Sequence, residues 1–516
     1  MPYQPTKDRG SISAGIAFWI FTAIAVIVWL SLDDWFRTNL FMTVHKAVPF
    51  VVPFVIIVIL FALAAIVPSG AARFVGATVF IAALGVTITY WVQYGYQTKR
   101  AYSAAVEIVD EPMPTFAERA AHPVAAAQAK ANLGDVLGTL GPVRYVPDGD
   151  DETWNALVTR RGVFTGYEVI EEGTVPLMGR ATAETCAFDP DASARIGGHF
   201  AHSLDRKIAG ARPGTFFNSE DVYGYCDGDT PIVVVPLQRL NGFWHITRVP
   251  AGVALYDGLT GKLTVKDEVA DGEVPGPVFP MTLAAHLRTS TEALGSFSDY
   301  WHSRSGYDST DGDAGDPNSG NTTEYNLRLA NGKGGAYVSP LTPKGQSQSI
   351  TAVAAVSSTS VKAKEWNTLT VHRYGKDDVR RPGSAMAQAI KGDYGDLPEW
   401  AAGMDIFEIT PVSSGEWVAS LGQKQDILYR VRVEASGDSC LEYADGTKIR
   451  CGKVTGEGGN GVGVALQPEA GSSRPVTVPK NDDLSALSND DLAALQQQIT
   501  EELLTRLSTP SKSETD

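Results

Sequence analysis

The sequence predicts an α+β membrane protein in which three N-terminal transmembrane helices precede a mainly antiparallel, β-rich soluble body and a C-terminal amphipathic helix. Three patterns in its 516 residues predict this fold class. Long uncharged apolar runs occupy residues 1–100, and short β-type runs separated by Gly, Asp and Pro follow from about residue 143. Apolar residues then recur at helical spacing after residue 488.

Residues 1–100 form the predicted membrane anchor. Residues 10–32, 47–72 and 74–98 contain no Asp, Glu, Lys or Arg. A helix needs about 20 apolar residues to cross a hydrocarbon core of about 30 Å, and each run is long enough. Pro68-Ser69-Gly70 predicts a tight connection, so the second and third spans should form a hairpin. The alternative interpretation is that the runs are buried helices of a soluble protein.

The uncharged spans favour an anchor over a transport pathway. Pumps and secondary transporters usually place ionisable side chains inside the membrane, and these runs have none. The Lys and Arg residues that flank the runs divide three against four between the two sides of the membrane. That difference does not decide the orientation.

The four cysteines, Cys186, Cys226, Cys440 and Cys451, all follow the membrane segment. A hairpin centred on Asp445-Gly446 would place Cys440 opposite Cys451, at a strand separation compatible with a disulfide. Cys186 and Cys226 then form the remaining pair. Two disulfides predict a multi-pass protein of the cell membrane with a cytoplasmic N-terminus and an extracytoplasmic body. The alternative is a cytosolic body with buried free thiols.

The remaining chain divides into segments of different composition. Strong helix formers precede Gly134, β-type runs such as 231–236 and 427–433 follow, and a Gly-rich stretch begins after Cys451. Few helical patterns interrupt the strands, which favours an α+β body over βαβ units. The predicted segments are a helical stalk at 101–141, a first β-rich lobe at 142–307, an acidic polar loop at 308–322, a second β-rich lobe at 323–454, a flexible linker at 455–487, and an amphipathic helix and tail at 488–516.

The acidic loop is the candidate metal site. Asp308, Asp311, Asp313 and Asp316 offer the hard oxygen ligands that Ca²⁺ prefers. An EF-hand frame that begins at Asp311 ends on Thr322 rather than on glutamate, so that motif is broken. The simpler alternative is a solvated loop, and no cofactor other than this calcium is predicted.

The C-terminal helix is the candidate partner-binding element. Its apolar stripe consists of Leu492, Leu495, Ile499, Leu503 and Leu507. Such a stripe fits a groove on another membrane or envelope protein, or on a second copy of the chain. The alternative is that the helix folds back onto its own body.

Charge and motifs restrict the classes of function. The net charge of −16 comprises +4 on residues 1–100 and −20 on the other 416 residues, and no cluster of cations is present to bind nucleic acid. The sequence contains no Gly-x-Ser-x-Gly and no His-Glu-x-x-His motif. The carboxylate clusters at 150–152 and 171–172 are interpreted as solvated turns.

These observations predict a membrane-anchored extracytoplasmic protein that acts in binding or assembly and leans away from enzymatic activity. Its expected partners are the lipid bilayer and another membrane or envelope protein, or a second copy of itself. It would then be a subunit of an envelope or membrane complex. Two alternatives stay open: an envelope hydrolase whose site is assembled from residues distant in sequence, and a non-catalytic component of a channel or transporter.

Overall fold

A computed structural model describes residues 19–23, 33–66, 70–134, 136–148, 151–177, 179, 182–309, 324–345, 347, 349–375, 380–434 and 437–453. The predicted linker and the C-terminal amphipathic helix, with its five apolar residues, lie outside the described residues. So does the first predicted span, apart from the helical residues Trp19–Ala23.

Two long helices run side by side as an antiparallel hairpin. Helix α1 extends over Asp34–Ile66 and helix α2 over Gly70–Tyr102. The rings of Phe61 and Phe80 pack between them, with centroids 5.5 Å apart. The hairpin expected for the second and third spans therefore forms.

Two helical segments are long and apolar enough to cross a membrane: Asp34–Leu63 in α1, and Phe74–Ala105, which comprises most of α2 and the short 3₁₀ helix that follows it. Only 11% and 6% of their most apolar stretches is buried within the protein. This exposure distinguishes them from the core helices of a soluble protein, whose apolar side chains are covered by other parts of the chain. The two helices indicate anchoring in a membrane.

Helix α1 begins earlier than the sequence pattern predicts. Residues 34–46, expected in a loop between two spans, form its first turns, so Pro49 and Pro53 lie in its interior. Contacts with the soluble body explain the extension. Arg206 lies 3.3 Å from the Asp33 carboxylate, and the Gly214 amide donates a hydrogen bond to Thr38 Oγ1. Tertiary contacts of this kind override local propensity.

Residues 101–141, expected as a helical stalk, are not one continuous helix. They contain β1 (Val106–Val109), helix α3 (His122–Asn132) and β2 (Gly138–Leu140). β1 pairs in parallel with β17 (Leu369–Arg373), more than 250 residues later in the chain. The segment is thus built into the body, by a pairing that no local pattern encodes.

Two antiparallel sheets face each other in the first part of the body. One contains β2, β3 (Arg144–Asp148), β4 (Asp151–Arg160), β5 (Tyr167–Thr174) and β6 (Thr182–Ala187). The other contains β7 (Tyr223–Asp227), β8 (Thr230–Asn241), β9 (Thr247–Asp257) and β10 (Leu263–Lys266). Helix α4 (Leu204–Ala211) packs beside them. The sheets approach closely at Gly224, where a β-carbon would lie 2.7 Å from Ile170 Cδ1.

The rest of the body has a mixed six-stranded sheet and an antiparallel five-stranded sheet. The first contains β1, β12 (Tyr307–Ser309), β13 (Tyr325–Arg328), β14 (Gly335–Pro343), β15 (Ala352–Ser357) and β17. The second contains β18 (Asp405–Ser413), β19 (Glu416–Gln423), β20 (Asp426–Glu434), β21 (Asp438–Tyr443) and β22 (Lys448–Lys453). A short ribbon pairs β11 (Glu268–Val269) with β16 (Val361–Lys362).

Helices fill the space between these sheets. α5 (Met281–Thr289) packs its Leu283 and Leu287 against the β7–β10 sheet on one side and the six-stranded sheet on the other. α7 (Gly383–Asp393) lies in the same way between the six-stranded and five-stranded sheets. α6 (Phe297–Trp301) lies beside α2. Short 3₁₀ helices occupy Ser103–Ala105, Phe200–His202, Ser219–Asp221, Ser290–Ala293 and Pro398–Trp400. The body is thus a mixed α+β structure with several antiparallel sheets.

The cysteines lie in two disulfide pairs. Cys440 and Cys451 face each other in the β21–β22 hairpin with their Cα atoms 4.0 Å apart. Cys186 in β6 and Cys226 in β7 have Cα atoms 5.9 Å apart and join the two sheets of the first part of the body. Two such pairs indicate that the body resides in an oxidising compartment.

Candidate functional site

Of the four residues in the predicted calcium site the structure describes only Asp308, so this site stays a prediction. Asp308 lies in β12 and forms an ion pair with Lys344, whose Nζ is 2.7 Å from its Oδ1. Asp311, Asp313 and Asp316 lie outside the described residues. Within the part of the chain that is described, no group of three or more His, Cys, Asp or Glu side chains is arranged to hold a metal.

A different set of carboxylates converges on a cleft beside the β3–β4 hairpin. The cleft has a volume of about 480 Å³ and lies between β3, β4, β5, β7 and the segment before α5. Thr153 and Thr174 belong to its polar lining. Its acidic side chains are Asp148, Glu152 and Glu172, and Tyr225 and Arg328 line it with them. We call this set of five residues the acidic cleft.

Strand register brings these residues together. In the β4–β5 pair Asn155 is opposite Glu172, and in the β3–β4 pair Pro147 is opposite Glu152. The Gly276 amide donates a hydrogen bond of 2.9 Å to the Pro147 carbonyl, which fixes the neighbouring loop against β3. Carboxylates from three strands, Asp148 in β3, Glu152 in β4 and Glu172 in β5, therefore meet at one end of the sheet.

Hydrogen bonds hold the carboxylates in place. Glu172 Oε2 accepts from Asn155 Nδ2 at 3.1 Å and from the Cys226 backbone amide at 2.9 Å. The Cys186–Cys226 disulfide holds β7, and with it this amide, against the first sheet. Glu152 accepts from the Tyr145 hydroxyl, and the Arg328 Nε atom lies 3.7 Å away. The cleft is therefore shaped before any ligand enters.

The electrostatics of the acidic cleft favour a positively charged ligand. Burial raises the pKa of Glu172, its two hydrogen bonds oppose that shift, and the carboxylates of Glu184 and Asp148 add to it. Burial, with Asp227 and Asp148 nearby, raises the pKa of Tyr225 to about 12, so its hydroxyl stays protonated at neutral pH. Three carboxylates thus share the cleft with one guanidinium, and a bound cation would relieve their mutual repulsion.

The residue preceding Glu172 points away from the cleft. Glu171 lies on the other face of β5, beneath α3, and only 1% of it is exposed to solvent. Burial raises the pKa of Glu171 to about 7, and the Asn132 side chain opposes this shift. The interpretation of residues 171–172 as a solvated turn is therefore wrong, because both belong to a strand that is covered on both faces.

A smaller depression of about 340 Å³ adjoins the acidic cleft on the other side of Pro147. Asp271 and Lys333 line it, and Asp271 accepts a hydrogen bond of 2.6 Å from Thr359. Its charges are balanced, so it offers less attraction for an ion than the acidic cleft does.

The sequence contained one signal for the acidic cleft. Val169 and Ile170 are adjacent apolar residues, which is typical of a strand buried on both faces. Glu171 and Glu172 directly continue that strand, so each must meet a covered environment. The partner strands and the distant Arg328 could not be identified in this way, because they meet only through long-range pairing.

Comparison of the chain with known protein families, with curated proteins and with solved structures finds no match.

Proposed function

We propose that this protein is a membrane-anchored extracytoplasmic binding or assembly protein, a subunit of an envelope or membrane complex, and that its acidic cleft receives a cationic group of its partner. The convergence of Asp148, Glu152 and Glu172 on one preformed cleft carries the proposal. A Lys or Arg side chain, or a cationic peptide segment, has the charge and the hydrogen-bond donors that these carboxylates accept.

The proposed orientation has the N-terminus in the cytoplasm and the body outside. The two disulfides support an oxidising environment for the body. Both the Asp34 end of α1 and the Tyr102 end of α2 adjoin the body, so the Ile66 end of α1 and the Gly70 end of α2 are assigned to the opposite side of the membrane.

Binding to the acidic cleft can be tested with a fluorescent tetralysine peptide and the full-length protein in nanodiscs. The variant Asp148→Asn/Glu152→Gln/Glu172→Gln keeps the side-chain shapes and removes three charges. We expect it to lose at least tenfold in affinity for the peptide, and we expect added salt to weaken wild-type binding.

A matched control removes the same charge elsewhere on the body. Glu107, Glu111 and Glu268 are exposed, and their triple Gln variant changes the net charge equally. It should bind the peptide as the wild type does, and melting curves should show that both variants are folded. Equal losses in the two variants would show that only overall charge matters, which would contradict a specific cleft.

One observation favours a second candidate function, an envelope hydrolase. The pKa of Glu172 is raised, chiefly by burial, and Glu172 shares the cleft with Asp148 and Glu152, so the cleft holds carboxyl groups of the kind that general acid–base hydrolysis uses. Turnover of fluorogenic glycosides or esters that is lost in Glu172→Gln but retained in Glu268→Gln would support this function. Equal background turnover in all three proteins would exclude it for those substrates.

A further inference from the structure

The turn between β8 and β9, residues 242–246, lies against both helices of the hairpin. On α1, His45 Nε2 is 2.7 Å from the Gly242 carbonyl oxygen. On α2, the Tyr90 hydroxyl donates a hydrogen bond of 2.5 Å to the Trp244 carbonyl. The turn is thereby fixed to the hairpin at two positions that belong to different helices.

Helix length places this turn at the edge of the hydrocarbon core. Twenty residues separate Ile66 from Lys46 on α1, and twenty separate Phe74, the first residue after Arg73, from Tyr94 on α2. At 1.5 Å per residue each distance is about 30 Å, which is the thickness of the core. The Tyr94 hydroxyl accepts a hydrogen bond of 3.4 Å from the Ile246 amide of the turn. The residue count along each helix therefore places the edge of the hydrocarbon core next to the residues that bond to the turn.

The side chains at the end of this turn are large, apolar and uncovered by protein. Phe243 is 53% exposed and Trp244 is 44% exposed, although the strands that lead to them are almost entirely buried. The Trp244 ring contacts Tyr90 and Phe243, at centroid distances of 6.0 and 5.0 Å. Trp and Tyr concentrate at membrane interfaces, where an amphipathic ring meets both lipid and water.

We propose that Phe243 and Trp244 insert into the interfacial layer of the lipid bilayer and form a membrane contact of the body that is separate from its helices. Cations that anionic lipid headgroups would meet are near the turn along the chain: Lys46 follows His45 on α1, and the exposed Arg239 in β8 is four residues before Phe243. This contact sets the height and tilt of the body above the membrane. It does not depend on the acidic cleft.

Tryptophan quenching by brominated lipids tests the contact in the full-length protein. The protein is reconstituted into vesicles of phosphatidylcholine and phosphatidylglycerol whose acyl chains are brominated close to the headgroup. The change Trp244→Phe should reduce the emission that these lipids quench, by up to about one tenth of the total because the chain has ten tryptophans. Lipids brominated near the bilayer centre should show a smaller difference between the two proteins.

Trp301 provides the matched control. It is 59% exposed and belongs to α6, which packs against Tyr96, six residues beyond Tyr90 and therefore about 9 Å farther along α2. Trp301→Phe should leave the lipid-quenched emission unchanged and reduce the emission that aqueous iodide quenches.

Three outcomes would overturn the proposal. Equal lipid quenching in wild type and Trp244→Phe would show that Trp244 does not reach lipid. Iodide quenching of Trp244 in vesicles as strong as that of Trp301 would place it in water. Protection of Trp244 from both quenchers would show that a protein covers the turn instead. A label on Phe243→Cys, read with the same lipids, repeats the test at a second site.

Discussion

The buried carboxyl group of Glu171 should make the stability of the body depend on pH. Its side chain lies between β5 and α3, and burial raises the pKa from the ordinary 4.5 to about 7. The change Glu171→Gln keeps the shape of the side chain and removes the titration. The variant therefore isolates what ionisation of this one group does to the folded protein.

The direction of the effect follows from proton binding. Between pH 4.5 and 7 the folded protein holds a proton on Glu171 that the unfolded chain has released, so the stability of the wild type falls as the pH rises through this range. A difference of about 2.5 pKa units corresponds to about 3 kcal/mol. The loss is complete above pH 7 and absent below pH 4.5.

Thermal unfolding of the full-length protein in detergent measures this effect, with near-ultraviolet circular dichroism as the signal. For a cooperative unit of about 350 residues, a loss of 3 kcal/mol lowers the melting temperature by about 4 °C. We expect Glu171→Gln and wild type to melt together at pH 4.5 and the variant to melt about 4 °C higher at pH 8. Wild type and variant also share every other titrating group, so their difference reports on Glu171.

Glu107→Gln is the control, since Glu107 is an exposed carboxylate in strand β1. Its melting temperature should change with pH in the same way as that of the wild type. If the melting temperature of Glu171→Gln also changed with pH as that of the wild type does, the Glu171 carboxyl group would have the same pKa in the folded and unfolded chain. That result would refute the argument from burial.

Three further predictions concern packing, a buried ion pair and a disulfide, and denaturant melts check each of them. Gly224→Ala should cost about 1–3 kcal/mol, because its β-carbon would overlap side chains of β4 and β5; an unchanged midpoint would contradict the close approach of the sheets. Arg119→Ala should cost about 3–5 kcal/mol, because it leaves the Glu408 carboxylate buried without the guanidinium 2.9 Å away, and Glu408→Ala in the same chain should recover part of the loss. Cys186→Ser/Cys226→Ser should cost about 2–5 kcal/mol and weaken peptide binding to the acidic cleft, whereas unaltered binding would show that the disulfide does not shape it.

Local sequence patterns correctly predicted the elements whose structure depends on residues close together in the chain. The hairpin of α1 and α2 follows from uncharged runs with a turn signal between them, and the facing of Cys440 and Cys451 follows from the Asp445-Gly446 turn. Each of these features depends on residues close together in the chain, where hydrophobic periodicity and turn preference act directly.

The features that local patterns did not predict depend on contacts between residues far apart in the chain. β1 lies in the segment expected as a stalk because its backbone groups pair with β17, and the first turns of α1 are helical because the body packs on them. The acidic cleft was missed for the same reason. Asp148 and Glu172 come from strands that meet only through the register of the sheet, and their neighbour Arg328 comes from a different sheet.

The length of the two helices bears on the kind of partner that the acidic cleft can serve. Each helix has 33 residues and is about 50 Å long, so about 20 Å of it projects beyond a 30 Å hydrocarbon core. The projecting turns are bonded to the body, for example where Lys99 lies 2.6 Å from Glu292. A body held by stiff helices keeps its cleft at a constant height above the bilayer. A partner anchored in the same membrane gains effective concentration from that constant height, whereas a freely diffusing partner does not, and this favours a membrane-embedded partner for the cleft.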